Sequence, residues 1–127
     1  MSAVVFDTGM LLQLERGDLS KWTLLHWFAR QEIDVIVPST VLAQAWRGSR
    51  KQARLGQALE ECSIAPFDPY ARRVGVLCGQ AKTSDIVDAH VALVTAAFAE
   101  SVYTSDPRDI GRLLAFCGPA DPAIVRV

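Results

Sequence analysis

The chain has 127 residues, half of them hydrophobic and 21% charged, which is enough for one compact domain and too little for two. Its formal net charge of −1 excludes a global electrostatic attraction to nucleic acid, so any binding of phosphates has to come from a local basic patch or from bound cations. We therefore expect a single domain over residues 1–127, and the overall charge argues neither for nor against an RNA substrate.

The first half of the chain alternates short apolar runs with helical patterns. Residues 3–6 are apolar throughout, as in a strand buried on both faces, and Pro38 ends a second such run. Trp22, Leu25 and Phe28 share one stripe of a helical pattern. The elements predicted here are a strand at 3–6, helices at 8–15 and 19–31, a strand at 34–37, and a helix from Ser39 or Thr40 to Arg47 and Gly48.

The second half continues the same alternation. Residues 86–99 are apolar almost all round, interrupted only by Asp88, His90 and Thr95, which predicts a central buried helix. The predicted elements are helices at 50–61, 70–82, 86–99 and 107–116, and strands at 63–67, 101–105 and 123–127. Strands that alternate with helices and are continuously apolar indicate a parallel sheet covered on both faces. We therefore expect an α/β fold, a three-layer α/β/α sandwich.

The cysteines and the N-terminal residues bear on the cellular compartment. Cys62, Cys78 and Cys117 are widely spaced and form no C-x-x-C or Cys/His motif, so we expect buried reduced thiols and no zinc site. No basic segment precedes a long apolar region at the N-terminus, and no window is apolar for long enough to cross a bilayer. A cytoplasmic protein without a membrane segment is therefore expected.

Several aspartates fall where the predicted parallel strands end, which is the edge at which such sheets bind ligands. Asp7 directly follows the first strand and Asp106 the fourth; if these strands are neighbours, their ends lie about 5 Å apart. Asp88 enters from the start of the buried helix, with Asp85 three residues earlier, and Asp109 follows three residues after Asp106. Each acid alone also fits a helix-capping or first-turn position, so only their convergence would indicate a site.

Carboxylates that converge in a partly dry pocket repel one another unless protons or cations intervene. A divalent cation is the natural counterion, above all for Asp88, because burying its charge at the start of an apolar helix is otherwise costly. Carboxylate and water oxygens suit Mg²⁺ or Mn²⁺, and no histidine or cysteine stands at a spacing that suits zinc. The acids therefore predict a Mg²⁺ or Mn²⁺ site.

Four blocks of sequence resemble, in order, the successive signatures of PIN domains. They are VVFDTGML at residues 4–11, VPSTVLAQAWRG at 37–48, SDIVDAH at 84–90 and VYTSDPRDI at 102–110, and they span nearly the whole chain. The ordered set resembles in particular the PIN-domain ribonucleases that act as VapC-type toxins of toxin–antitoxin pairs. The resemblance implies strand order 3-2-1-4-5 and RNA cleavage that depends on Mg²⁺ or Mn²⁺.

The same resemblance assigns roles to residues by position. It makes Asp7, Asp88 and Asp106 the metal-binding acids and Asp109 an accessory acid, while Asp85 is an extra candidate outside the family's pattern. It also implies a homodimer and a small cognate antitoxin that inserts a basic side chain into the acidic pocket. The apolar-rich segments 22–28 and 41–46 are candidate contact surfaces.

The sequence departs from the family's pattern at two positions. Gln44 stands where the family usually has a glutamate; its amide can accept a hydrogen bond or offer its oxygen to a metal or its water, but one negative charge is lost and metal affinity should fall. Gly9 replaces a frequent serine or threonine, which leaves Thr8, Thr104 and Ser105 as the hydroxyls able to orient the acids.

The expected reaction is in-line hydrolysis of a phosphodiester by a water molecule that the ion activates, without a covalent intermediate. Gln44 or Asp109 would position that water. A metal-independent route through two histidines is not supported, because His26 and His90 are isolated, and we assign both to packing.

A short basic run follows the third predicted helix. Arg47, Arg50, Lys51 and Arg54 form it, and the last three share one face at helical spacing. The run is either a solvated helix surface or an RNA-binding patch that steers phosphates towards the acids. Trp46 beside it either packs in the core or an interface, or stacks on a base.

Other classes of α/β protein fit less well. A haloacid-dehalogenase phosphatase requires D-x-D, but Gly9 occupies its second position; the acids and lysine of a receiver domain and the glycine-rich nucleotide motifs are missing. The alternative that stays open is a PIN fold that has lost catalysis and binds protein or RNA, for which Gln44 is the support. Changing Asp7 or Asp88 to asparagine would discriminate, since only a nuclease has metal-dependent cleavage to lose.

Overall fold

The computed structural model describes residues 2–127, which form a sheet of five parallel strands in the order β3-β2-β1-β4-β5. The strands are β1 (Ala3–Phe6), β2 (Asp34–Pro38), β3 (Ser63–Ala65), β4 (Ser101–Thr104) and β5 (Ala123–Arg126). This topology confirms the predicted α/β class and the strand order that the resemblance implies. β1 is central and pairs with β4 on one side, with Val5 opposite Val102. The ends of β1 and β4 therefore lie side by side.

Seven α-helices are present within residues 2–127, close to the predicted ones. They are α1 (Thr8–Glu15), α2 (Leu19–Arg30), α3 (Ser39–Ala45), α4 (Ala53–Glu60), α5 (Ala71–Ala81), α6 (Ile86–Phe98) and α7 (Pro107–Leu114). All four residues of β1 are buried although successive side chains point to opposite faces, so both faces of the sheet are covered. This confirms the three-layer arrangement. Within the described residues, no helix combines the length and apolarity that spanning a membrane requires.

The α3–α4 connection differs from the prediction because of one buried side chain. α3 ends at Ala45, and residues 50–52 form a 3₁₀ turn before α4 begins. Gln52 Nε2 donates to the Ala45 carbonyl at 2.8 Å, and its Oε1 accepts from the backbone N–H groups of Arg47 at 2.7 Å and Gly48 at 3.1 Å. The Gln52 amide thus supplies hydrogen-bond partners to backbone groups that have none within the helix at the end of α3. The helix can therefore end earlier than its local pattern indicates.

β3 is also shorter than predicted. β3 ends at Ala65, whereas the apolar pattern extends to Phe67. Pro66 follows Ala65 and has no N–H to donate, so it cannot extend the ladder with β2. Phe67 has helical dihedral angles and begins the next turn instead.

His90 lies in the interior, as predicted. It is fully buried in α6, its ring packs on Phe67 and Tyr70, and its Nδ1 is 2.8 Å from the Thr40 hydroxyl. Burial lowers the pKa of His90, so the neutral ring is favoured. The assignment of His90 to packing is confirmed.

His26 does not lie in the interior, so its assignment to packing is wrong. It is exposed on α2 because its position falls outside the stripe formed by the buried Leu25 and Phe28. Its Nδ1 lies 3.3 Å from a carboxylate oxygen of Glu61, and its ring neighbours that of Trp22.

The three cysteines are free thiols and are half-buried rather than fully buried. Burial raises the pKa of Cys62 to about 12, with the charges of Glu61 and Asp34 adding to the effect. The Cys62 thiol therefore stays protonated at neutral pH and is a poor nucleophile.

Candidate active site

Asp7 occupies the junction between β1 and α1 and is held from two sides. Its backbone N–H donates to the Tyr103 carbonyl at 3.0 Å, which continues the pairing of β1 with β4. The side chain is buried, with Oδ1 accepting from the Thr8 N–H at 2.6 Å and Oδ2 accepting from the Thr104 hydroxyl at 2.8 Å. Burial raises the pKa of Asp7, and the hydrogen bonds from Thr104 and Thr8 oppose that rise.

Thr104 ties the two strand ends together. Its fully buried hydroxyl donates to Asp7 and accepts from the Asp106 N–H at 2.9 Å. One hydroxyl therefore fixes both the Asp7 carboxylate and the backbone from which the Asp106 side chain extends. The other two predicted orienting hydroxyls, those of Thr8 and Ser105, lie on the same edge of the sheet, directly after β1 and β4.

Three aspartates bring their carboxylates together at this edge. One oxygen from each of Asp88, Asp106 and Asp109 lies within 4.8 Å of the others. Asp88 is half-buried in the first turn of α6, whereas Asp106 and Asp109 flank the start of α7 and are more exposed. Asp85 caps α6 by accepting from the Asp88 N–H at 3.0 Å, so its position has a structural explanation. Asp7 is outside the 4.8 Å group but acts on it electrostatically.

The pKa values show that these acids share one electrostatic environment. Burial, and after it the negative charges of Asp85, Asp7 and Asp106, together raise the pKa of Asp88 to about 7. The pKa of Asp106 is also raised, by desolvation, by its hydrogen bond with Asp109 and by the Asp109 charge. Negative charges that repel each other in this way are what a bound cation would stabilise.

Gln44 reaches the same edge from the last turn of α3. The Thr8 hydroxyl donates to Gln44 Oε1 at 2.5 Å, and the Gln44 side chain is exposed. The sequence indicated the neighbourhood of Gln44 through its position after β2 but not this contact, because nothing in the local pattern connects α3 to the residue after Asp7.

Gly9 is small for a reason that the structure makes plain. A Cβ atom at this position would lie 2.6 Å from Ser105 Cβ and would overlap the Ser105 hydroxyl. The Ser105 side chain therefore fills the space that a serine or threonine at position 9 would need.

The predicted basic run lies on the surface, but its geometry differs from the prediction. Arg47, Arg50, Lys51 and Arg54 are all exposed. The guanidinium groups of Arg47 and Arg54 donate to backbone carbonyls that follow α3 and α1. Because α4 begins only at Ala53, Arg50 and Lys51 lie in the preceding 3₁₀ turn, so the α-helix expected from residue 50 is wrong for these two residues.

Trp46 follows α3 and is packed on one part of its side chain and exposed on another. Its ring lies over Gly56 of α4, where a side chain would come within 3.7 Å of the indole. The residue still exposes 41% of its surface. The edge of the indole therefore packs beside α4, and the residue is partly open to solvent.

The donor set at the edge suits Mg²⁺ or Mn²⁺. The converging atoms are carboxylate oxygens, which these hard cations prefer. Burial and, after it, the neighbouring negative charges raise the pKa of Asp88, and a bound cation would offset both effects. Among the described residues, the group of converging acids contains no histidine, so no nitrogen ligand that would favour zinc joins it.

Comparisons with known proteins show the fold. No protein-family model and no curated protein matches this chain. A solved structure does match: VapBC2 from Rickettsia felis, bound to a DNA fragment from their promoter. The TM-score is 0.68 at 15% sequence identity, over 98% of this chain and 98% of that chain. A similarity of this kind, together with the strand order, establishes a PIN-like α/β fold over the length of the chain.

Proposed function

We propose that this chain is a single PIN-like domain that hydrolyses RNA phosphodiester bonds with Mg²⁺ or Mn²⁺ and acts as the toxin of a toxin–antitoxin pair. The observation that carries the proposal is the convergence of Asp88, Asp106 and Asp109 within 4.8 Å at the carboxyl edge of β1 and β4, beside the buried Asp7. The raised pKa of Asp88 and the PIN-like fold support the same proposal.

The proposed metal-binding residues are Asp7, Asp88 and Asp106, with Asp109 as the accessory acid. The presence of Asp109 in the group of carboxylates that lie within 4.8 Å of one another supports this accessory role. Asp7 accepts one hydrogen bond on each oxygen, and each oxygen has a further lone pair with which to face a cation or its water. Asp88 has to lose its proton before its carboxylate can bind a cation. Because the pKa of Asp88 is raised to about 7, this deprotonation occurs near neutral pH.

The chemistry divides between the ion and the chain. A divalent cation would activate water and neutralise charge on the reacting phosphate. The protein would hold the acids in place through Thr104, position water through Asp109, and attract the RNA backbone through exposed basic residues such as Arg50 and Lys51.

The proposed partners follow from the resemblance and from the matched complex. VapBC2 is named as a complex, and we propose that this chain likewise binds a small antitoxin that shields the acidic edge with a basic side chain. A homodimer in the cytoplasm, without membrane attachment, completes the proposal.

The test compares three Asp→Asn variants in cleavage of labelled single-stranded RNA with Mg²⁺, with Mn²⁺ and with EDTA. Asp7→Asn and Asp88→Asn should each lower cleavage at least about 100-fold, because each removes a charge from the proposed ion site. Asp121→Asn is the matched control: Asp121 is exposed and lies before β5, at the opposite edge of the sheet. EDTA should abolish cleavage by the wild-type protein.

Two results would contradict the proposal. Equal cleavage by Asp88→Asn and Asp121→Asn would exclude the acidic edge as the active site. If neither cation supports cleavage while RNA or an antitoxin still binds, the chain is a non-catalytic binding module, the alternative that Gln44 supports.

A further inference from the structure

The Gln44 amide is anchored at the rim of the acidic edge by one end only. Its Oε1 accepts the Thr8 hydroxyl at 2.5 Å, and Thr8 follows directly on Asp7. Gln44 is exposed, and the part of the chain that the structure describes gives its Nε2 no hydrogen-bond partner. Two N–H donors are therefore presented to solvent beside the acids.

This orientation argues against Gln44 as a cation ligand. A side-chain amide binds Mg²⁺ or Mn²⁺ through its carbonyl oxygen, and here that oxygen faces the proton of Thr8. The end that remains free carries partial positive charge, which repels a cation and attracts an anion.

The surrounding charges make an anion-binding group useful at this place. An RNA phosphate that approaches the edge meets the carboxylates of Asp88, Asp106 and Asp109, which converge within 4.8 Å. A glutamate at position 44 would add one more negative charge against the phosphate. A neutral donor removes that repulsion and offers a hydrogen bond in its place.

We propose that Gln44 contacts the substrate, with its Nε2 donating to a non-bridging oxygen of the RNA phosphate, and that Thr8 positions it by holding Oε1. This inference rests on the proposed function and adds to it, because it assigns Gln44 to binding of the RNA phosphate and not to binding of the cation. Glutamine at position 44 thereby favours substrate binding, whereas a glutamate there would add one negative charge beside the cation site.

The experiment measures cation binding and RNA binding separately. Mn²⁺ affinity is obtained by titration calorimetry, and RNA affinity by fluorescence anisotropy of a fluorescein-labelled single-stranded RNA with Ca²⁺ in place of Mg²⁺. The variants are Gln44→Ala, Gln44→Glu, Thr8→Val and the double variant, with Gln80→Ala as an exposed control on α5. Circular dichroism melting establishes that each variant is folded.

Gln44→Ala should weaken RNA binding about five- to tenfold and leave Mn²⁺ affinity within about twofold, because one hydrogen bond to a charged group is lost. Thr8→Val should weaken RNA binding by a similar factor, and the double variant should be no weaker than Gln44→Ala, since both act through one contact. Gln44→Glu should tighten Mn²⁺ binding and weaken RNA binding more than Gln44→Ala does. Gln80→Ala should match the wild type in both titrations.

The outcomes separate this inference from the proposed function. If Gln44→Ala weakens Mn²⁺ binding and spares RNA binding, Gln44 is a cation ligand and the inference is overturned, while the nuclease proposal stands. Unchanged RNA affinity in Gln44→Ala overturns it too. A wild-type chain that binds neither Mn²⁺ nor RNA would overturn both.

Discussion

At the scale of single residues, the candidate site combines rigid and repelling groups. Thr104 is buried and fixes Asp7 and the Asp106 backbone through one hydroxyl, whereas Asp88 is only half-buried and is surrounded by like charges. Hydrogen bonds therefore hold Asp7 and the Asp106 backbone in place, whereas Asp88 is subject to electrostatic repulsion that protons or cations can relieve.

This repulsion predicts how the stability of the metal-free protein depends on pH. The pKa of Asp88 is about 7 in the folded chain against an ordinary value of 3.8, so between these values the folded state holds more protons than the unfolded state. The free energy of unfolding should fall as pH rises from about 4 to about 7. Because Asp88 is partly exposed and screened by solvent, we expect a loss of only about 1–2 kcal/mol rather than the full effect of the shift.

Urea unfolding in EDTA at pH 5 and at pH 7.5 measures this loss. Asp88→Asn should flatten the profile, with part of the slope left to Asp7 and Asp106, whose pKa values are also raised. An identical pH profile for the wild type and Asp88→Asn would contradict the prediction.

At the scale of elements, the α3–α4 connection depends on a single side chain. Gln52 is buried and makes four hydrogen bonds, to Ala45, Arg47, Gly48 and the Glu15 side chain. Its bond to Glu15 fixes the connection, which carries the exposed Arg47, Arg50 and Lys51, against α1. Its geometry is therefore set by a contact from within the protein rather than by local helix propensity.

Gln52→Ala should lower the free energy of unfolding by about 2–4 kcal/mol, because it leaves the Ala45 carbonyl and the N–H groups of Arg47 and Gly48 without their protein partner. Gln57→Ala, at an exposed position of α4, should change it by less than about 0.5 kcal/mol. Chemical denaturation of the two variants provides the comparison. Equal stabilities would show that water replaces the Gln52 amide at little cost.

The same connection marks how far the sequence predicts the structure. β1 and α6 are predictable because their long apolar runs can be buried only in the interior, β1 at the centre of the sheet and α6 packed against it. The boundaries near residues 46–52 are not predictable, because they depend on hydrogen bonds from the Gln52 side chain to the backbone at the end of α3. The placement of Asp7 and Asp106 on one edge follows from the parallel sheet, whereas the pairing of Gln44 with Thr8 depends on how α3 packs against α1.

At the scale of the whole molecule, the small net charge does not reflect the concentration of negative charge at one edge of the sheet. The net charge is −1, yet acids from β1, α6 and the start of α7 share one edge of the sheet. The sheet brings together groups that are far apart in the sequence, and the unfolded chain separates them again. An ion that binds this edge should therefore bind the folded state far better than the unfolded one.

That difference predicts stabilisation of the whole fold by Mn²⁺. At pH 7.5, a free concentration about 100 times the dissociation constant should raise the free energy of unfolding by about 2.7 kcal/mol. At pH 5 the gain should shrink, since Asp88 is then protonated and the cation has to displace its proton. Asp106→Asn should lose most of the gain at both pH values, whereas Asp121→Asn should keep it. Thermal melts over a Mn²⁺ series measure this directly, and a melting temperature that does not change with Mn²⁺ would mean that the acidic edge binds no cation in the folded protein.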